Sequence, residues 1–286
     1  MKIREIGGLF KSAFVAWQED KAPTLGAALA YFAVFSLAPL VIIAIAVAGL
    51  VFGQEAARGQ ISAEISRLVG EQAGKGIEAL VQSASKPGSG PVAAAIGVVT
   101  LLLGASGVFG QLQETMNLIW EVEPKKKGGW MQTVRLRFLS VAMVFGSCFL
   151  LLVSLMVSAA LSGLVNVLGS GQSLGPVLQF VDVLLSLLVI WVLFAALFKF
   201  LPDAVVEWRD VWFGAFITSL LFVVGKTLIG LYLGRSGVAS TYGAAGSVVL
   251  ILLWTYYASQ ILFFGAEITK AYADRHGSRE GMAGQI

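Results

Sequence analysis

Long apolar stretches alternate along this chain with short charged ones. Four windows hold no charged residue at all: 22–54 (33 residues), 87–113 (27), 138–181 (44) and 236–266 (31). A helix crosses the roughly 30 Å hydrocarbon core of a bilayer with about 20 apolar residues, at about 1.5 Å each, so every window is long enough for a span. The window that opens at 138 continues past Asp182 to Phe198, and the stretch Gly169-Ser-Gly-Gln-Ser-Leu-Gly-Pro176 breaks it. Such a glycine-rich, proline-closed run is a turn signal, which makes this region a hairpin of two helices. Another apolar segment between Asp210 and Arg235 is interrupted only by Lys226. The pattern predicts an all-α, polytopic membrane protein forming a single membrane domain over 1–286, with six transmembrane helices at about 24–53, 92–118, 138–168, 178–201, 211–234 and 243–268.

Two segments outside these spans carry helical periodicity of their own. Over 1–22, Ile3, Ile6, Leu9, Phe10, Ala13, Phe14 and Trp17 recur at helical spacing, with Lys2, Arg4 and Lys11 elsewhere. That suits an N-terminal interfacial helix on the anionic inner leaflet; packing of the same face against the base of the bundle is the other reading. The scattered charges leave no apolar core of the length a cleavable signal peptide uses. Over 54–91, Ile61, Ile65, Leu68, Ile77, Leu80 and Val81 predict an external amphipathic segment, ended by Lys86-Pro-Gly-Ser-Gly-Pro91. Its Glu64 with Arg67 and Glu71 with Lys75 stand at helical neighbour spacings, which reads as a solvated structural face.

Composition reinforces the membrane reading. Hydrophobic residues make up 57% of the 286 and charged residues 13%, with a mean hydropathy of +0.82. A soluble domain carries about a quarter of its residues charged, so the composition argues against a water-soluble enzyme. The distribution of the 20 lysines and arginines sets the orientation. Fourteen fall at the N-terminus, around 125–137, at Lys199 and Arg209, and in the tail 270–286. By the positive-inside rule both termini are cytoplasmic, and 54–91 is periplasmic.

Reactive chemistry is sparse. Cys148 is the one cysteine and His276 the one histidine, so no disulfide within the chain and no thiolate or histidine-rich metal set is expected. No phosphate-binding Gly-x-x-x-x-Gly-Lys-Ser/Thr run occurs, and the glycines around 104–110 read as small residues that let helices approach closely. The sequence predicts no enzyme, no cofactor and no metal.

Ionisable and polar groups at membrane depth are the remaining candidates, because such groups are costly in lipid and normally face the protein interior. Lys226 lies about 12 Å inside its span by helical rise, and Asp182 near the end of the preceding helix is its expected partner. A stabilising ion pair without any transport role is the competing reading. Glu114 stands beside Gln111, Gln113 and Asn117, with Arg135 and Arg137 as expected cationic partners. Glu267 and Lys199 close their helices near the cytoplasm, where anchoring at the interface is the simpler role. Tyr31, Ser36 and Pro39 sit on the first helix; the proline bends it, as a fixed kink or as a gate.

Several stretches resemble the bacterial YihY/BrkB-type inner-membrane proteins, which carry an old label of ribonuclease BN. These are Gly26-Ala-Ala-Leu-Ala-Tyr-Phe-Ala-Val-Phe-Ser-Leu-Ala-Pro39, Leu112-Gln-Glu-Thr-Met-Asn-Leu-Ile-Trp120, Leu201-Pro-Asp-Ala204 before Trp208, Trp212-Phe-Gly-Ala215, Tyr242-Gly-Ala-Ala-Gly-Ser247, Trp254 and Gly265-Ala-Glu-Ile268. The resemblance implies six spans in the bacterial cytoplasmic membrane. It also implies a connection with serum resistance and with export of lipid-like envelope molecules. The expectation is a transporter or flippase of a lipid or other amphiphile, with membrane lipids as partners and Lys226, Asp182, Glu114, Asn117, Glu267 and Tyr31 lining its cavity. A non-transporting envelope scaffold acting through 54–91 is the alternative. The ribonuclease label finds no metal set and no basic groove for nucleic acid among the residues.

Overall fold

A computed structural model describes residues 3–35, 107–122, 175–235 and 246–278, with single positions at 53, 55, 59, 62, 63, 66, 71, 75, 78 and 242. The described residues form helices and connecting turns, with no strand among them. In chain order the helices are α1 (Ile3–Glu19), α2 (Ala22–Phe35), α3 (107–119), α4 (Gly175–Phe200), α5 (Trp208–Arg235) and α6 (Gly246–His276). Among the described residues, three segments are long and apolar enough to cross a membrane: Val183–Phe200, Trp208–Leu233 and Val248–His276. The expected span at 138–168 lies outside the described residues, as do Pro39, most of 54–91 and the greater parts of 24–53 and 92–118.

The boundaries of α4 and α5 fall within three residues of the sequence reading, whereas α6 runs eight residues further than expected, to His276. The first seven residues of the expected tail, 270–276, are therefore helical. Charges from Glu267 onward end the apolar window, but they do not end the helix, because its last turns have packing partners. Ala273 is buried, and the Tyr272 ring stacks between Phe213 at 4.1 Å and His276 at 5.9 Å. At about 1.5 Å per residue a 31-residue helix spans about 46 Å, enough to cross the hydrocarbon and project beyond it.

Helix α6 is the centre of the assembly. Gly265, Ala266, Glu267, Ile268 and Thr269 are five consecutive buried residues, which a helix achieves only when it is surrounded. Helix α5 covers it through an antiparallel seam. A Cβ placed on Gly265 would overlap the Thr218 side chain, reaching its Cβ at 2.8 Å, and a Cβ placed on Gly214 would overlap Thr269. Each threonine thus fills the space the opposing glycine leaves. Each also donates its hydroxyl to its own helix, Thr218 Oγ1 to the Gly214 carbonyl and Thr269 Oγ1 to the Gly265 carbonyl, both at 2.7 Å. Neither buried hydroxyl is left unpaired. Between helices in lipid the hydrophobic effect supplies little attraction, so close backbone approach and dense contact hold them together.

The other helices gather around this pair. Leu9 and Ala13 of α1 pack on Ile268, Phe10 meets Phe264 at 6.1 Å, and Arg275 donates to Ser12 at 2.9 Å. The apolar face of α1 is therefore used on the bundle, while Phe14 and Val15 stay exposed. A second core joins α2, α3, α4, α5 and α6 through Leu29, Met116, Ile119, Phe194, Phe198, Ala215, Phe263 and Ala266. Aromatic rings collect where α4 turns into α5: Trp191 meets Trp212 at 5.2 Å, Trp208 meets Trp212 at 5.8 Å, and Lys199 lies 5.6 Å over Trp208. Tryptophans beside basic residues mark a membrane–water boundary.

The seam is testable by a mutant cycle. Gly265→Ala lowers unfolding stability by about 1–3 kcal/mol through overpacking, and Thr218→Ala restores part of that loss because it removes the opposing atoms. The same Thr218→Ala change gives no rescue to Gly214→Ala, whose clash is with Thr269. Denaturation midpoints of the three single and two double variants in one detergent check this pattern.

Candidate functional site

At the basic end of the bundle, two chain corners meet the side of α6 away from the α5 seam, and a third meets α3 beside them. The first corner joins α1 to α2 at Asp20 and Lys21. Lys21 adopts φ 53°, the left-handed region, and its carbonyl starts α2 by accepting from Thr24 and Leu25. The second ends α3 at Glu121, with φ 52°. There Val122 N–H bonds the Asn117 carbonyl at 2.9 Å and Glu121 N–H the Leu118 carbonyl at 3.0 Å. This bonding is a Schellman-type stop, in which the left-handed position usually holds glycine. The third is the turn from Leu201 to Glu207 between α4 and α5, anchored by Lys199 donating to the Val206 carbonyl.

Polar side chains lock these corners together. Asn117 donates to Asp203 Oδ2 at 3.1 Å and accepts from the Asp203 backbone N–H at 2.8 Å. Gln113, one turn earlier, donates to the same carboxylate oxygen at 3.2 Å. The exposed Lys75–Glu71 pair on the 54–91 segment closes at 2.7 Å as its spacing predicted, and the lysine holds the Glu71 carboxyl below its usual range. Lys270 of α6 reaches Glu121 at 2.6 Å. Beside that pair Glu267 is only 1% exposed, and its Oε1 has no hydrogen-bond partner among the described residues. Asp20 hydrogen-bonds the Glu267 side chain. Burial pushes the Asp20 carboxyl above its ordinary value, against the lowering effect of that bond and of Lys270; the charges of Glu121 and Glu19 push it further up.

About two turns deeper, α2 crosses α6 where Gly26 faces Gln260 and Ser259. A Cβ at Gly26 would overlap the Gln260 amide. Ser259 donates to the Tyr256 carbonyl at 2.6 Å. Gln260 Nε2 and Oε1, and Thr255 Oγ1 one turn on, are buried without hydrogen-bond partners among the described residues. Gln260 lies about 18 Å along α6 from Val248, within the span Val248–His276.

The expected site residues therefore separate. Glu267 and Asn117 belong to the basic-end cluster. Glu114 is exposed on α3. Tyr31 is 60% exposed and meets the Phe32 and Phe35 rings at 5.7 Å and 5.1 Å. Lys226 is half-buried within α5. The Asp182 side chain lies outside the described residues, so the expected Lys226–Asp182 pair does too, as does Pro39. Asp20, Asp203, Gly26 and Gln260 escape a search for charges inside spans. Asp20 and Asp203 sit at corners, and an amide and a glycine carry no charge to detect.

A set of apolar helices with buried polar groups at one end and in one seam defines an integral membrane protein. The chain matches the family model described as Virulence factor BrkB over residues 13–285 and belongs to that family, the YihY/BrkB family. It is 29% identical over 263 residues to a UPF0761 membrane protein of Tolumonas auensis, covering 87% of this chain and 80% of that protein. A UPF0761 membrane protein of Albidiferax ferrireducens is 32% identical over 174 residues, which is 60% of this chain. One of Pseudomonas paraeruginosa is 27% identical over 249 residues, 86% of this chain. The chain covers 40% of the Albidiferax protein's length and 58% of the Pseudomonas protein's. No solved structure matches it.

The corner clasp has a measurable worth. Asn117→Ala removes two hydrogen bonds to a partly solvated loop and costs about 1 kcal/mol. Asn117→Asp costs more, because it sets a second carboxylate against Asp203. The difference between the two variants shrinks as pH falls into the carboxylate range, which unfolding midpoints measured across pH report.

Proposed function

We propose that this protein moves a lipid or other amphiphilic envelope molecule across the bacterial cytoplasmic membrane. In this reading six helices span the membrane, both termini are cytoplasmic, 54–91 is periplasmic, and no bond is made or broken. The observation that carries the reading is the Gln260 amide, buried at membrane depth beneath a glycine, with its donor and acceptor both unpartnered among the described residues. A polar group left unpaired in an apolar setting costs about 1–3 kcal/mol. A headgroup passing along the α2–α6 seam offers that amide the bonds it lacks, while acyl chains remain in lipid beside the exposed Tyr31 and Phe35. Thr255 adds a hydroxyl on the same helix. Lys226 stands as a further polar group of the path.

Gln260→Leu separates this role from a structural one. The variant unfolds no earlier than wild type, because an apolar chain of similar size replaces an unpaired amide, yet it loses most transport. The assay is purified protein in liposomes containing a labelled anionic lipid, with crossing followed by quenching. Acceleration by wild type and its loss in Gln260→Leu agree with the proposal; no acceleration across a panel of lipids contradicts it.

A further inference from the structure

Among the described residues, the basic-end cluster contains more acid than base. Asp20, Glu121 and Glu267 approach one another from three different elements, with Glu19 nearby on α1, and the cation facing them is Lys270. Lys270 is already committed at 2.6 Å to Glu121, the more solvent-accessible of its acidic neighbours. That leaves the Asp20 and Glu267 carboxyls against each other at a position where Glu267 is 1% exposed, and Glu267 Oε1 is aimed at no donor among the described residues. Two ionised carboxylates in contact and out of water repel strongly, so such pairs retain a proton between them. A divalent cation fits this geometry poorly. No group of three or more described His, Cys, Asp and Glu side chains is arranged to hold a metal ion, and the Lys270 ammonium occupies the side from which a cation would be shared.

The backbone at this place is also unusual. Among the described residues, the non-glycine positions with positive φ are Lys21 and Glu121, and each adjoins the cluster. Left-handed backbone costs a side-chain-bearing residue about 1–2 kcal/mol, so both corners are held by what surrounds them. We propose that Asp20 and Glu267 form a proton-binding site that latches the α1–α2 corner to α6. With the proton bound, one carboxyl donates to the other and the corner stays docked. When the proton leaves to solvent, two carboxylates face each other and the corner at Lys21 swings away from α6. This opens the base of the α2–α6 seam, whose upper part holds Gly26 and Gln260.

The latch goes beyond the amphiphile reading and is measured without any substrate, so either can fail alone. Its test is a pH titration of the full chain in lipid nanodiscs. An acid whose folded-state pKa is raised, as at Asp20, contributes stability that is present below its unfolded pKa and lost as pH rises through the folded value. Wild type is therefore expected to lose thermal stability, and to gain hydrogen exchange at 16–25, as pH rises from about 5 to about 9. Glu267→Gln keeps the shape and donor of the protonated acid, and it is expected to remove at least half of the pH-dependent shift while retaining the docked corner at high pH. Asp20→Asn, on the other element, is expected to do the same. Infrared difference spectra of wild type give an independent readout, a protonated-carboxyl band that disappears on raising pH and is absent from Glu267→Gln. Should either folded variant keep the full wild-type pH dependence, or should wild type show no such band, the latch is overturned. A Glu267→Gln chain that fails to fold leaves the decision to Asp20→Asn and to the wild-type spectrum.

Discussion

The interlock of Gly214 and Thr218 with Gly265 and Thr269 is the contact on which the rest of the architecture depends. It is reciprocal, each helix offering one glycine and one threonine four residues apart, so both backbones approach at two levels one turn apart. In lipid this proximity has to be built from shape, and two missing Cβ atoms create it. The back-bonded hydroxyls let threonine fill the gap without leaving a polar atom bare. Once α5 and α6 are joined in this register, the opposite side of α6 is fixed too. Glu267 lies between Gly265 and Thr269 in sequence and points away from the seam, toward the corners of α1, α2 and α3.

Packing and chemistry are thus two sides of one helix. The side of α6 toward α5 is shape alone, whereas the side toward α2 and α3 carries Gln260 in the seam and Glu267 at the base, both incompletely paired among the described residues. A helix that served only as a strut would gain stability from leucine at either position. Keeping such groups at a cost is characteristic of positions that act on something. The strained corners at Lys21 and Glu121 fall in the same region, and glycine at either would relieve the backbone. Their side chains enter the ionic cluster or adjoin it, as the Lys270–Glu121 pair shows.

How much of this could be read from the sequence follows from what each signal measures. Apolar windows located α4 and α5 to within a few residues, because in lipid the start and end of an uncharged run nearly coincide with the helix. They misplaced the end of α6, since Tyr272 and Ala273 continue the helix through packing that charge counting does not register. Asn117 and Glu267 were legible as polar residues near helix ends. Their partners Asp203 and Asp20 were not, because the pairs are separated by 86 residues in one case and about 250 in the other, and only the closed bundle brings them together. Spacing did identify Glu71 with Lys75, where the contact is local to one helix. Gly26 was visible only inside a stretch resembling a family signature, and the same is true of Gly265.

The α5–α6 register is the claim most directly open to measurement. In a Cys148→Ala background, the double variant Thr218→Cys with Gly265→Cys places two Cβ atoms at one of the seam's two close approaches, and mild oxidation in native membranes should link them rapidly. A partner cysteine at exposed Val224 should leave Gly265→Cys unlinked. Efficient linkage of the Val224 pair with none at Thr218 would contradict the register, and with it the placement of Gln260 and Glu267 on the opposite side of α6.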